Sequence, residues 1–324
     1  MRKALSEKMI ILRMRNTIKF LTHQLKALLS HRLLFMLTSL LLTLGILGWL
    51  LWNQYDMLLN YPWDIDIVSL LYAFSIYSLV LFMSTLVWGW ITGSIVGKKI
   101  SFWKHFRAFC ISALGKRLPG TVWYVAWRAQ IYGEEGLSAR AISLASGIEV
   151  AVSMLSAVIV SFFFAIPILV EYRLSVWGLV VILAFSLVLV HPSVIAWFRG
   201  RLGLNSERIN RNLIVVWVLS YVVIRILFGL FFFMVINIFY SLPWQNLPYV
   251  IGGQALVAGL SMLLLFLPSN FGFAEVSLSL LLSSIMPSSI AVIVVILNRI
   301  LTIFFEFIWS FIVIVNELIH KGSS

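Results

Sequence analysis

Runs of apolar residues long enough to cross a bilayer recur along this chain. A transmembrane helix needs about 20 mainly apolar residues to span a hydrocarbon core about 30 Å thick. Six segments meet this requirement: 33–53, 66–94, 138–170, 176–198, 213–240 and 288–317. Because their apolar residues are continuous rather than alternating, they predict α-helices and not the strands of a membrane barrel. The predicted fold class is therefore an all-α integral membrane protein.

The composition narrows the possible functions. Of the 324 residues, 61% are hydrophobic and 11% are charged, which is more apolar surface than a soluble fold can bury. The net charge of +12 would suggest nucleic acid in a soluble protein, but the bases lie between apolar runs, so we predict no nucleic-acid partner. Cys110 is the single cysteine, and the histidines are dispersed. We therefore predict no metal, no cofactor and no catalytic residue, and hence no enzyme.

The distribution of lysine and arginine predicts the orientation. Eight of these bases precede the first span, eight follow the second, four follow the fourth and one follows the last. By the positive-inside rule these faces are cytoplasmic, and both termini then lie on the cytoplasmic side of the plasma membrane. Residues 1–32 are interpreted as a basic amphipathic cytoplasmic segment, 33–317 as a single transmembrane domain and 318–324 as a cytoplasmic tail.

Two further apolar segments, 101–133 and 249–286, are each interrupted by a Leu-Pro pair. Each is predicted to form a broken or re-entrant helical hairpin. The orientation above requires the first to enter from the cytoplasm and the second from outside. The halves 33–170 and 176–317 then form an inverted repeat, as in many transporters. For the second segment, the alternative is two complete short spans joined by an extracellular loop.

The first interruption combines a helix breaker with cations. A helix that restarts after Pro119 and Gly120 points free N–H groups and its positive dipole end at the turn, with Arg117 and Arg128 nearby. This arrangement favours a bound phosphate. The alternative is that the cations only anchor the chain at the membrane interface.

The second interruption places polar groups in an apolar run. They are Ser269, Asn270 and Glu275, which lie with Pro268 and Gly272 in the stretch 267–275. Unwound backbone at membrane depth is tolerated where it is buried in protein or lines a wet cavity. The stretch is therefore predicted to contribute to a binding site.

Charged residues inside predicted spans are costly, by at least about 2.5 kcal/mol each, and should face the protein interior and pair. Four such residues are Glu149, Arg225, Arg299 and Glu306. We expect Arg128 or Arg225 to meet an acid, and Glu275 to lie near Arg299. The alternative role for each is a salt bridge that only holds the helices together.

Taken in order, these motifs resemble a known family. The first is Lys116-Arg117-Leu118-Pro119-Gly120 followed by Arg128 and Glu149, and the second is residues 267–275 followed by Asn298-Arg299. Over residues 30–317 they resemble the lysylphosphatidylglycerol synthase transmembrane family, also described as flippase-like membrane proteins. Val150 stands where that family commonly has an arginine. The resemblance is to the membrane region only, without an aminoacyl-transferase domain.

The resemblance implies lipid translocation. We expect a flippase-like transporter that moves an anionic or phosphate-bearing lipid, either a phospholipid or a polyprenyl phosphate, between leaflets. Arg117 and Arg128 would hold the phosphate, and Glu275 and Arg299 would complete the site. One alternative is a non-transporting, lipid-binding subunit that serves a partner glycosyltransferase or lipid synthase. Another is an intramembrane transferase with Glu149 or Glu275 as base. The oligomeric state is left open.

Overall fold

The computed structural model describes residues 65–115, 123–171, 176–204, 209–263 and 272–322, together with Trp49, Trp52, Tyr55, Leu59 and Asn60. The regular structure of these residues is entirely helical. The helices are α1 (Ile67–Val96), α2 (Phe102–Gly115), α3 (Trp123–Gly133), α4 (Ala139–Phe164), α5 (Ile166–Glu171), α6 (Val176–Leu189), α7 (Pro192–Arg201), α8 (Arg211–Phe239), α9 (Leu247–Leu263), α10 (Phe273–Leu282) and α11 (Ser288–Gly322), with a 3₁₀ turn at Trp244–Asn246.

Four helices, α1, α4, α8 and α11, are long and apolar enough to cross a membrane, and α6 with α7 is a bent pair that adds a fifth candidate. They agree with predicted spans, whereas the predicted span 33–53 lies outside the described residues except for Trp49 and Trp52. Large apolar side chains such as Phe163 and Trp177 point outward and are strongly exposed. Because a soluble protein rarely leaves so much apolar surface in water, the chain is a helical membrane protein.

The predicted span 176–198 is present as a broken helix rather than a continuous one. α6 ends at Leu189, α7 begins at Pro192, and the two helices are bent by 54°. Proline has no N–H to continue the helix and forces the preceding residue out of the helical region, so His191 is extended (φ −65°, ψ 132°). The apolar content of the segment does not predict this break. The predicted span 138–170 is likewise divided, between α4 and α5 at Ala165.

α1 and α8 run in opposite directions. The backbone N–H of Asp66, just before α1, donates to the carbonyl of Ile238 at the end of α8 (3.0 Å). Further along, the rings of Tyr77 and Phe231 pack with centroids 5.4 Å apart. The start of α1 therefore lies beside the end of α8.

α4 runs parallel to α8. Tyr221 of α8 donates to Glu149 of α4, and one turn later in both helices Arg225 donates to Ser153. α4 is therefore antiparallel to α1. As a result, the connection that contains α2 and α3 leaves α1 and enters α4 at the same end of the molecule. The end of α4 and the start of α8 lie at opposite ends, so the segment that contains α6 and α7 crosses the molecule between them.

α11 runs parallel to α1. Phe305 packs edge-on against Phe74, and four residues later the Trp309 indole N–H donates to the Ser78 hydroxyl (3.0 Å). α8 and α11 are therefore antiparallel. The connection that contains α9 and α10 starts and returns at the end of the molecule opposite to the α2–α3 pair.

α2 and α3 lie side by side and antiparallel. Near their open end, the Tyr132 hydroxyl is 2.6 Å from Nδ1 of His105. At the other end, a Cβ on Gly115 would lie 3.2 Å from both the backbone of Tyr124 and the Trp127 ring, so the two helices touch there. The α2–α3 pair is thus closely packed along its length.

α9 and α10 form a second antiparallel pair. The Tyr249 hydroxyl, near the start of α9, lies 2.8 Å from the Ser284 hydroxyl just after α10. One turn later, a Cβ on Gly253 would lie 3.5 Å from a methyl group of Leu281, so the contacts move back along α10 as α9 advances. The α9–α10 pair therefore folds back on itself, as the α2–α3 pair does.

Glycines allow α9 to approach two of the long helices closely. A Cβ on Gly229 of α8 would lie 2.8 Å from Cα of Ile251, and a Cβ on Gly252 would lie 2.7 Å from the backbone N of Ala165. Small residues at such crossings let backbones pack directly in a membrane, where helix association depends on close packing. α9 is therefore held between α8 and the end of α4.

Asp66 caps the start of α1. Its carboxylate accepts from the backbone N–H of Val68 (3.0 Å) and from the hydroxyl of Ser69 (2.6 Å). The Ser69 hydrogen bond is the largest of the causes that lower the pKa of Asp66 below its ordinary value. The ionised carboxylate thus stabilises this helix end.

Candidate functional site

Arg128 and Glu149 form a buried ion pair between α3 and α4. Glu149 lies ten residues into α4, or about 15 Å along its axis. The Arg128 side chain has no exposed surface, and its Nε also donates to the Ser112 hydroxyl of α2 (3.0 Å). The prediction that Arg128 or Arg225 meets an acid is confirmed for Arg128.

Aromatic side chains enclose this pair. The guanidinium carbon of Arg128 lies 4.0 Å from the ring centroid of Trp88 and 4.9 Å from that of Phe109. The Tyr221 hydroxyl donates to Oε1 of Glu149 (2.9 Å). The cation is therefore balanced by the Glu149 carboxylate, the Ser112 hydroxyl and the two ring faces, as a charge at membrane depth requires.

A chain of hydrogen bonds extends from this cluster. The Trp88 indole N–H donates to the Tyr132 hydroxyl (2.8 Å), which is also 2.6 Å from Nδ1 of the buried His105. Sequence reasoning missed these three residues. One signal was present: Tyr132 follows Arg128 by four residues, which places both on one face of α3.

The second ion pair joins Glu275, in the first turn of α10, to Arg299 of α11. It confirms the prediction that these residues lie close together. Its side chains are more accessible than those of the first pair: 12% of Glu275 and 35% of Arg299 is exposed. Among the described residues, Oε2 of Glu275 and the amide oxygen of Asn298 are buried and have no hydrogen-bond donor. This site therefore has unused acceptors beside a partly exposed cation.

The two ion pairs occupy corresponding places with exchanged signs. In the first, the second helix of an antiparallel pair supplies the cation, Arg128, and the next long helix supplies the acid, Glu149. In the second, α10 supplies the acid, Glu275, and α11 supplies the cation, Arg299. Each antiparallel pair is thus fixed to the following long helix by one charge pair.

The remaining intramembrane charges lie close by in the fold. Arg225 donates to the hydroxyl of Ser153 (2.8 Å), one turn beyond the Tyr221–Glu149 contact. Glu306 is buried on α11, one turn before Ser310, whose hydroxyl donates to the Cys110 carbonyl of α2 (3.1 Å). α11 therefore contacts both antiparallel pairs, α10 through Arg299 and α2 through Ser310.

Several predicted site residues lie outside the described residues: Arg117, Pro119, Gly120, Pro268 and Asn270. Gly272 is described and directly precedes α10 with φ +94°, a left-handed conformation that favours glycine. Within the described ranges, no group of three histidine, cysteine or acidic residues is placed to hold a metal ion. Head-group binding by the predicted residues stays a prediction.

Comparisons with known proteins do not supply a relative. A scan against protein-family models finds no matching family, and a search of curated proteins finds no similar sequence. The argument for function therefore rests on the geometry of the two ion pairs and the helices that carry them.

Proposed function

We propose that this protein is a flippase-like transporter that moves an anionic or phosphate-bearing lipid between the leaflets of the cytoplasmic membrane. The observation that carries the proposal is the arrangement of the α2–α3 and α9–α10 pairs. The α2–α3 pair starts and returns at one end of the molecule, and the α9–α10 pair does so at the opposite end. Each pair places one charged residue against a long helix, Arg128 against α4 and Glu275 against α11. Transporters with inverted repeats use such interrupted helices to build a substrate site near the midplane.

The depth of the two ion pairs supports this proposal. Glu149 lies about 15 Å from the start of α4, and Arg299, eleven residues into α11, lies about 16 Å from the start of that helix. The hydrocarbon core is about 30 Å thick, so both pairs fall near its middle if these helices span it. The directions of α1, α4, α8 and α11 support an inverted repeat of two re-entrant hairpins, and the distribution of lysine and arginine supports cytoplasmic termini.

The second ion pair supports a role in head-group binding. Arg299 offers a partly exposed cation for a phosphate. The buried acceptor oxygens of Glu275 and Asn298 would receive hydrogen bonds from hydroxyl or amine groups of the same head group. Arg128 is enclosed by protein, so in this proposal it positions α3, and the accessible binding groups are those of the second pair.

Leaflet exchange in proteoliposomes tests the proposal. The purified protein is reconstituted with fluorescent phosphatidylglycerol, phosphatidylcholine or a polyprenyl phosphate, and dithionite reports how fast the outer-leaflet label is replenished. We expect exchange of a phosphate-bearing lipid, slowed at least about tenfold by Glu275→Gln, the loss given by one charge-assisted hydrogen bond of about 1.5 kcal/mol or more. Glu134→Gln is the matched control, because Glu134 belongs to an exposed ion pair with Arg107.

The assay has two outcomes that contradict the proposal. One is exchange no faster than in protein-free liposomes for every lipid tested. The other is equal slowing by Glu275→Gln and Glu134→Gln, which would show that the second ion pair has no special part in transport.

A non-transporting lipid-binding subunit is the second candidate. The observation that favours it is the complete enclosure of Arg128, which fixes the α2–α3 pair against α4. In that case the protein retains a bound lipid and stimulates a partner glycosyltransferase or lipid synthase, while leaflet exchange stays at the protein-free rate. Lipid mass spectrometry of the purified protein together with the exchange assay separates the two functions.

A further inference from the structure

An apolar groove of about 570 Å³ runs along the second half of α1. Its walls include Leu86, Trp90, Phe102 and Leu213. Its volume falls within the usual range for small-molecule sites in proteins. At Gly93 the groove is open, because a Cβ there would find its nearest neighbour, the Lys98 carbonyl oxygen, 3.9 Å away.

A polar pocket of about 230 Å³ adjoins the groove where α1 ends. Lys98, Lys99 and Ile100 line both cavities, so the apolar groove leads directly into the polar pocket. In the pocket, the Lys104 amine is paired with Glu135. Lys98 and Lys99 are exposed and have no ion-pair partner in the described part of the chain. The pocket therefore carries an unbalanced positive charge.

We propose that the groove and the pocket together bind one anionic phospholipid from the leaflet at this end of the molecule. An acyl chain lies along the open surface at Gly93, and the head-group phosphate lies against Lys98 and Lys99. Lysine ammonium groups bind phosphate as point charges, and Trp90 is the kind of residue that stands at the membrane interface. The site lies between α1, α2 and the start of α8, no residue of either ion pair lines it, and it does not depend on transport.

Charge and shape favour a lipid over two other occupants. The chain's own segment 1–32 carries eight lysines and arginines and one acid, Glu7, so Lys98 and Lys99 repel it. Interfaces between transmembrane helices are enriched in small residues that form a stripe. Gly89 is already covered, since a Cβ there would lie 3.1 Å from the His105 ring, so the open glycines of the groove are Gly93 and Gly97, and Gly97 directly precedes the exposed Lys98 and Lys99.

Photolabelling in bilayers tests the charge of the site. The full-length protein is placed in nanodiscs that contain phosphatidylglycerol or phosphatidylcholine with a photoreactive acyl chain, and labelled peptides are mapped by mass spectrometry. We expect phosphatidylglycerol to label peptides containing 86–102. Lys98→Gln with Lys99→Gln should weaken this labelling roughly thirtyfold, from the attraction of two lysines for an anionic lipid. Arg140→Gln with Arg201→Gln removes two exposed cations outside both cavities and is the matched control.

A second pair of variants tests the shape of the groove. Gly93→Leu fills the open surface and should abolish labelling of 86–102. Gly178→Leu adds the same side chain at an exposed glycine of α6, with no atom within 4 Å of its Cβ, and should leave the labelling unchanged. Circular dichroism and size-exclusion profiles confirm that each variant is folded.

Three results overturn the proposal. They are equal labelling of 86–102 by phosphatidylglycerol and phosphatidylcholine, labelling that persists in the folded Lys98→Gln, Lys99→Gln protein, and crosslinks from this groove to another protein or to residues 1–32. Because the assay measures occupancy without leaflet exchange, its failure is distinct from failure of the transporter proposal.

Discussion

Replacing Arg128 with methionine should be among the most destabilising single changes in this protein. Methionine keeps the apolar part of the side chain but removes the cation, so the buried Glu149 carboxylate loses this ion pair and keeps the hydrogen bond from the Tyr221 hydroxyl. Breaking a buried ion pair by removing one partner typically costs about 3–5 kcal/mol. The lost contact with the Trp88 ring is part of the same effect and is not added to it.

The same substitution at an exposed ion pair provides the control. Arg107 and Glu134 lie 3.4 Å apart, with 29% and 58% of their side chains exposed. Exposed ion pairs contribute about 0–1 kcal/mol, so Arg107→Met should lower the free energy of unfolding by no more than this. The difference between the two arginine variants then measures what burial adds.

A double variant separates charge from packing. In Arg128→Met with Glu149→Gln neither member of this pair carries a charge, and the glutamine can still accept from Tyr221. We expect a favourable coupling of about 2–3 kcal/mol, so the double variant should be far more stable than the sum of the single losses implies. The free energy of unfolding is measured by titration with SDS in mixed micelles, with helix content followed by circular dichroism. A loss below about 1 kcal/mol for Arg128→Met, or strictly additive losses, would refute the reasoning.

Three further predictions concern packing, pH and charge. Gly252→Ala should lower the free energy of unfolding by about 1–3 kcal/mol through overpacking, whereas Gly147→Ala, which meets open space, should not, as measured by the same SDS titration. The pKa of Asp66 is lowered on folding, so its stabilisation is present above its unfolded pKa and is lost as pH falls through the lower folded value. Thermal unfolding between neutral pH and about pH 3 should show that loss in the wild type and not in Asp66→Asn. Exchanging the charges of the second pair, Glu275→Arg with Arg299→Glu, should give a double variant with a higher free energy of unfolding than either single variant. Purely additive effects of the two substitutions would argue against a direct interaction.

Much of the fold was readable from hydropathy. Four long helices lie where continuous apolar runs predicted them, because about 20 apolar residues leave few alternatives to a membrane helix. The break at Pro192 was also readable, since proline and the residue before it follow strict backbone rules, but a count of apolar residues does not use them. Hydropathy thus predicts that a segment enters the membrane more reliably than it predicts where the helix bends.

The two ion pairs were predicted from the energetic cost of an unpaired charge in the membrane. The residues that surround them were not predicted. A charge inside an apolar run must find a partner, which was enough to expect Arg128 to meet an acid and Glu275 to meet Arg299. Nothing in the sequence distinguishes Trp88 from other aromatic residues of the spans. Tyr221 is 72 residues from Glu149, and without the fold no spacing rule connects them. Contacts between distant segments depend on tertiary packing.

The continuity of α11 limits how the protein can rearrange. It is 35 residues long, contains no proline, and has its single glycine at its last residue, so neither proline nor an internal glycine interrupts it. Arg299 and Ser310, which touch opposite helix pairs, are eleven residues or about 16 Å apart on this rod. A tilt of α11 about its contact with α2 would move Arg299 and the first turn of α10 with it. The α2–α3 and α9–α10 pairs are therefore mechanically coupled through this one helix.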